Sequence, residues 1–236
     1  MRTSITLKTC TAICLVLAGP FALAEAHLPA IAPSPAVGDS WTYQYTDVRK
    51  GVKGNLNRVE VAAIDNAGVH VDVRRADGAT PPVRQLFSAD MNPIDRGAMH
   101  FAPSFARFAF PLTPGKEWNA EATGDNQKLG KQLRYTIKGK VLDWEKIKVP
   151  AGEFDAIKVV VDARYRGETA GGKDDTGQLT ETVWFVPEIN NFVKLDYLEA
   201  DAQGRIANRD SWELTSHVRT RPAATAQAAT APGKHN

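Results

Sequence analysis

Cysteine is almost missing from this chain. Of 236 residues only Cys10 and Cys14 are thiols, and both fall in an N-terminal segment that reads as removed on export. The rest has no sulfur nucleophile, no thiolate zinc site and no disulfide, whatever the redox state of its compartment. An excess of either charge is also missing. The chain has 29 basic and 27 acidic residues, and removing Arg2 and Lys8 leaves 27 of each. A balance of that kind argues against nucleic acid as a partner. Long apolar runs are missing too. The uncharged stretch from Cys10 to Ala24 falls short of the roughly 20 residues that a spanning helix needs, so no membrane span is expected in the mature chain.

That short stretch has the layout of a secretory signal. Arg2 and Lys8 make a basic start, and Ile13, Leu15, Val16 and Leu17 form the apolar centre. Ala22-Leu23-Ala24 then supplies the small-x-small exit. Residues 1–24 are therefore expected to be a cleaved signal peptide, and the destination the periplasm. Leu17-Ala18-Gly19 would begin a lipoprotein cleavage site if Cys followed. Pro20 stands there instead, so no lipid anchor is expected. Residues 25–36, with Pro29, Pro33 and Pro35, read as an extended leader. Residues 37–219 read as a single β domain. The Ala-, Thr- and Pro-rich residues 220–236 read as a disordered tail.

The domain alternates at period two. Val69, Val71 and Val73 alternate with His70, Asp72 and Arg74. Leu133, Tyr135 and Ile137 do the same, as do Ile157, Val159, Val161 and Ala163, then Val193, Leu195 and Tyr197, then Trp212 and Leu214. Between the runs lie Asp65–Gly68, Asp77-Gly78, Val149–Gly152 and Asp201–Gly204, the residues of tight hairpin turns. Hairpin links predict antiparallel sheets. Gly38-Asp39-Ser40-Trp41 is echoed by Gly115-Lys116-Glu117-Trp118, and Phe87–Arg96 loosely by Phe185–Lys194. Two related β halves would explain the echo, and so would chance.

One stretch breaks the alternation. Phe101, Phe105, Phe108 and Phe110 bring four of the nine phenylalanines into ten residues. They predict a short helix or coil that plugs the core, or a lid over an apolar cavity.

Catalytic patterns are hard to find. The histidines, His27, His70, His100, His217 and His235, show no paired spacing, and no metal or cofactor is implied. No G-x-S-x-G occurs, and Ser40, Ser88, Ser104, Ser211 and Ser216 have no neighbouring base. Asp143 with Glu145, and Glu153 with Asp155, read as solvated acids. The Gly- and Asp-containing segment 167–177 reads as a mobile hairpin loop, not a calcium loop. Lys128, Lys131, Arg134, Lys138, Lys140, Lys146 and Lys148 form a basic stretch. It fits an edge-protecting strand, or a contact for anionic headgroups or an acidic partner.

Val149–Phe154 (VPAGEF), Ile157–Val159 (IKV), Val183–Glu188 (VWFVPE) and Val193-Lys194 (VK) together resemble a family of uncharacterised bacterial envelope proteins. Gly38–Tyr43 (GDSWTY) and Phe110–Trp118 (FPLTPGKEW) fit the same pattern. That family's pattern in turn resembles the periplasmic lipoprotein carriers. The resemblance implies a mainly β fold, an antiparallel curved sheet or incompletely closed β-barrel, with the phenylalanine stretch as its plug. The leading reading is a non-enzymatic protein that binds lipid or another hydrophobic ligand, with Phe101, Phe105, Phe108, Phe110, Trp41 and Trp118 as candidate lining. The alternative is a structural protein with a filled core that binds an envelope protein partner. A hydrolase with a site assembled from distant residues is a third reading.

Overall fold

A computed structural model describes residues 27–126, 128–168, 172 and 174–220. The expected signal peptide and the tail from 221 onward lie outside the described residues.

Twelve antiparallel strands follow one another around a closed barrel. They are β1 (Ser40–Asp47), β2 (Val52–Asp65), β3 (Gly68–Arg75), β4 (Val83–Phe87), β5 (Pro93–Arg96) and β6 (Met99–Ala102). The second half is β7 (Glu117–Asn126), β8 (Lys131–Val149), β9 (Gly152–Glu168), β10 (Asp174–Val186), β11 (Asn191–Asp201) and β12 (Ile206–Val218). The expected antiparallel barrel is present, and it closes fully because β1 pairs with both β2 and β12. The four predicted turns all fall between strands. Their glycines Gly68, Gly78, Gly152 and Gly204 have positive φ, the conformation for which those turns need glycine.

The period-two runs fix which side faces in. Ile157, Val159, Val161 and Ala163 point into the barrel and are buried. Their neighbours Asp162 and Arg164 face out. On β8, Gln132, Arg134, Thr136, Lys138 and Lys140 also face out and are exposed. A barrel that met lipid would carry an apolar outer band, and this wall is charged. Strand β8 pairs with β9 along most of its 19 residues, and with β7 over residues 131–140. Lys131, Lys138 and Lys140 therefore lie between two paired strands, whereas Lys146 and Lys148 lie beyond the β7 pairing, where β8 is paired on one side.

The sequence echo recurs as geometry. The amide of Gly38 donates to the Val61 carbonyl (2.8 Å), and that of Val61 donates to the Asp39 carbonyl (2.9 Å). Six strands further on, Gly115 donates to Val141 (3.0 Å) and Val141 to Lys116 (2.8 Å). The second echo spans the β4–β5 and β10–β11 links, again six strands apart. Each link holds a non-glycine residue at φ 57°, Met91 and Asn190. These are the two such residues among those described.

Two features position the interior. Strands β5 and β6 are only 4 residues each, so the wall is short there. The segment 103–116 leaves β6 and runs as coil back to the start of β7. It buries Phe105, Phe108 and Leu112 in the barrel cluster with Phe101, Tyr135, Ile137, Val183 and Phe185. Each fully buried Phe contributes roughly 1.5–3 kcal/mol of transfer free energy. The predicted plug is therefore present, as coil. Its backbone polar groups are satisfied from the wall. Phe105 donates to the Pro93 carbonyl (2.8 Å), and the Trp118 indole donates to the Ala106 carbonyl (2.9 Å). The Asn92 side chain exchanges two hydrogen bonds with the Phe108 backbone (2.8 and 3.0 Å). Lys116 Nζ donates to the carbonyls of Ala109 and Pro111. The described leader residues dock outside the plug, where Ala30 exchanges backbone hydrogen bonds with Leu112 (2.9 and 2.8 Å).

Candidate functional site

The plug leaves two spaces inside the barrel. The larger, about 310 Å³, is lined by Phe101, Phe105, Tyr135, Tyr165 and Tyr197 and by Arg96, Glu181 and Glu199. Leu129 and Lys131 of the β7–β8 hairpin also line it, and Leu129 is exposed. The smaller, about 120 Å³, lies among Tyr43, Phe108, Phe185, Phe192 and Trp212. Arg96 lines both.

Charge separates the two spaces. Glu181 lies on the inward face of β10 between Leu179 and Val183 and is fully buried. Arg107 of the plug donates to it twice, from Nε to Oε2 (2.6 Å) and from Nη2 to Oε1 (3.0 Å). Arg96 donates from Nη1 to Oε1 (2.6 Å). Burial by itself would push the Glu181 carboxyl up. The charges and hydrogen bonds of Arg107 and Arg96 outweigh it and hold the group down to about 2. Arg107 is buried, whereas the Arg96 side chain keeps 37% of its surface open. Arg96 sits 5.7 Å from the centre of the Tyr197 ring, and its remaining guanidinium nitrogens have no partner among the described residues.

The tyrosines form a second polar group. Tyr165 and Tyr197 both donate to Glu199, at 2.9 and 3.1 Å. Burial, and then the Glu199 charge, raises the Tyr135 hydroxyl to about 12. Burial first, and after it the hydrogen bond and charge of Glu199, raises those of Tyr165 and Tyr197 further. All three are neutral donors at physiological pH. Lys131 Nζ lies 2.6 Å from Asp175 Oδ2, though outside the angle of a hydrogen bond. Inward glycines make room for the rings. A Cβ on Gly177 would lie 2.5 Å from the Tyr165 oxygen, and one on Gly139 would lie 2.0 Å from the Trp118 ring.

The candidate lining residues part company here. Phe101 and Phe105 line the larger space, and Phe108 the smaller. Phe110 meets Phe185 edge-on, with ring centres 5.2 Å apart, and lines neither. Trp41 is fully buried, with its indole donating to the Ile189 carbonyl (2.9 Å). Trp118 lies over Gly139. Neither tryptophan reaches a cavity.

Arg96, Arg107, Glu181 and Glu199 were not anticipated. A signal for one of them existed: Leu179, Glu181 and Val183 are in phase, which puts an acid on an apolar strand face.

The other candidates for chemistry are held elsewhere. His100 meets Asp95 (2.6 Å) in the exposed β5–β6 hairpin, while His217 on β12 packs edge-on to Phe154. No strand pairing joins them. Glu145 receives the Trp184 indole and Lys158, and Asp155 receives Lys146. In segment 167–177, β9 and β10 continue in register from Glu168 opposite Asp174, so much of the expected loop is strand.

No protein-family model matches the chain, and no curated protein matches it. Three solved structures are similar in fold. A candidate lipoprotein of Parabacteroides distasonis is 16% identical over 81% of this chain and 100% of its own, with a TM-score of 0.49. A candidate exported protein of Bacteroides fragilis, described as having a YmcC-like fold, is 14% identical over 81% and 100%, with a TM-score of 0.45. The hypothetical lipoprotein YmcC of Escherichia coli is 8% identical over 79% and 86%, with a TM-score of 0.41. No residue role passes from any of them to this chain.

Proposed function

We propose that the protein is a non-enzymatic binding protein of the bacterial envelope, and that the larger space of its barrel takes a small amphiphilic molecule. The ligand's apolar part lies against Phe101 and Phe105, and its polar end meets Arg96. One observation carries this reading. The barrel is not filled: about 310 Å³ remains beside rings and unused guanidinium donors, which is the lower end of the range for small-molecule sites. Phe105 and Phe108 occupy the room that long acyl chains would need, so a compact amphiphile fits better than a diacyl lipid. The envelope location rests on the signal pattern of residues 1–24.

The test is native mass spectrometry of the mature protein purified from the periplasm without detergent. A mass excess that organic extraction removes is the expected result. Phe101→Asp and Phe105→Asp should lose it. A clean apo mass from folded protein would shift the weight to the partner-binding reading. That reading has its own support in Leu28 and Ile31, which stay 84% and 70% exposed although the leader is docked. Crosslinking in intact envelopes would then identify the partner.

A further inference from the structure

The outer wall carries a groove whose floor shares Tyr135 and Tyr165 with the larger interior space. It crosses β7 to β10 over about 1150 Å³, with Pro103 at one end and Gly204 at the other. Arg134, Arg164 and Arg166 stand in it, exposed, among Thr136, Thr176 and Gln178. Register brings the three guanidiniums together. Arg134 lies directly opposite Arg166, and Arg164, two residues along the same face, lies opposite Thr136 and Gln178. Like charges placed directly opposite one another destabilise a sheet.

None of the three has a hydrogen bond or an ion pair among the described residues. Elsewhere on the barrel, Arg58 and Arg74 share Glu60, Arg84 holds Asp72, and Arg205 holds Asp201. The basic stretch of β8 divides in the same way. Lys131, Lys140 and Lys146 meet Asp175, Glu117 and Asp155, while Arg134, Lys138 and Lys148 have no ion pair among the described residues. Two carboxylates line the groove, Glu121 and Asp201, and Arg205 already neutralises Asp201. The groove therefore keeps a positive surplus.

We propose that this groove binds a soluble ligand bearing phosphate groups. A guanidinium fork holds two phosphate oxygens at once. Three forks from adjacent strands match a group with more than one negative charge. The threonine hydroxyls and the Gln178 amide supply neutral donors between them. A concave floor admits a molecule, whereas a flat bilayer surface would not reach it. The three arginines are exposed and line neither interior space, so their test stands apart from that of the interior ligand.

The experiment is calorimetric titration of the mature protein with inorganic pyrophosphate at low salt. Saturable binding is expected. Arg134→Gln and Arg166→Gln should each weaken it by roughly tenfold or more, and Lys50→Gln, on the β1–β2 turn and outside the groove's lining, should leave it unchanged. R166E puts an acid opposite Arg134 and should abolish binding while the melting temperature holds or rises, which separates lost binding from misfolding. Two results overturn the proposal: no saturable heat, or arginine variants that behave like K50Q. Arginine-dependent flotation with phosphatidylglycerol vesicles, without pyrophosphate binding, would overturn it in favour of a membrane contact.

Discussion

Glu181→Gln is the sharpest test of the interior. The substitution keeps the shape of the side chain and removes its charge. Arg107, 5% exposed, would then be a buried cation without a counter-charge. Breaking a buried pair from one side costs about 3–5 kcal/mol. For a domain of this size, each kcal/mol moves the melting temperature by about 2–4 °C, so a drop of roughly 6–20 °C is expected. Urea unfolding should show a lower midpoint at an unchanged slope. Acid adds a second reading. The folded Glu181 carboxyl is held down to about 2, below the ordinary 4.5. A lowered folded value gives stability that is complete above about pH 5 and lost as the pH falls toward 2, on the order of 3 kcal/mol in all. That part of the acid sensitivity should vanish in E181Q. Replacing both partners (Glu181→Met with Arg107→Met) should recover most of the loss, because apolar groups of similar volume can replace a buried pair. An E181Q protein that melts within about 2 °C of the parent, or one equally sensitive to acid, would refute the account of the triad.

Phe105→Ala should cost about 3–5 kcal/mol in urea unfolding; a loss below about 1 kcal/mol would mean that the plug is not packed as described. Gly139→Ala sets a methyl into the Trp118 ring and should cost about 1–3 kcal/mol, with a shift in tryptophan fluorescence as the ring moves. Trp41→Phe leaves the Ile189 carbonyl without its donor and should cost about 1–3 kcal/mol. Unchanged thermal melts would disprove the last two.

The strands were legible because one face is wet and the other buried. Val69, Val71 and Val73, or Ile157 to Ala163, carry that contrast in every second residue. The turns were legible because Gly68, Gly78, Gly152 and Gly204 occupy backbone conformations that other residues resist. The plug was legible as an interruption of the period. Its conformation was not, because coil here depends on partners far away in sequence, such as Asn92 and Pro93. Closure was not legible either, since the β1–β12 pairing that makes the seam leaves no local trace. Trp41 and Trp118 show the limit of residue type as evidence. Both are large and apolar, yet each is spent on a single backbone carbonyl and a packing niche. The ion triad joins residues from β5, the plug and β10. Only the phase of Glu181 hinted at it.

Asp39 has a consequence for how the barrel would respond to force. It is fully buried where the two ends of the domain meet. It accepts the Ala36 amide (3.0 Å) and the Thr220 amide (2.5 Å) and pairs with Arg219 (3.4 Å). Strands β1 and β12 are antiparallel neighbours, so both chain ends leave from one rim. Tension applied between them would load the seam one hydrogen bond at a time, as a zip is opened, and not all at once in shear. The barrel would therefore yield at low force when pulled by its ends, however well its core resists heat or urea. Asp39 is the first tooth of that zip.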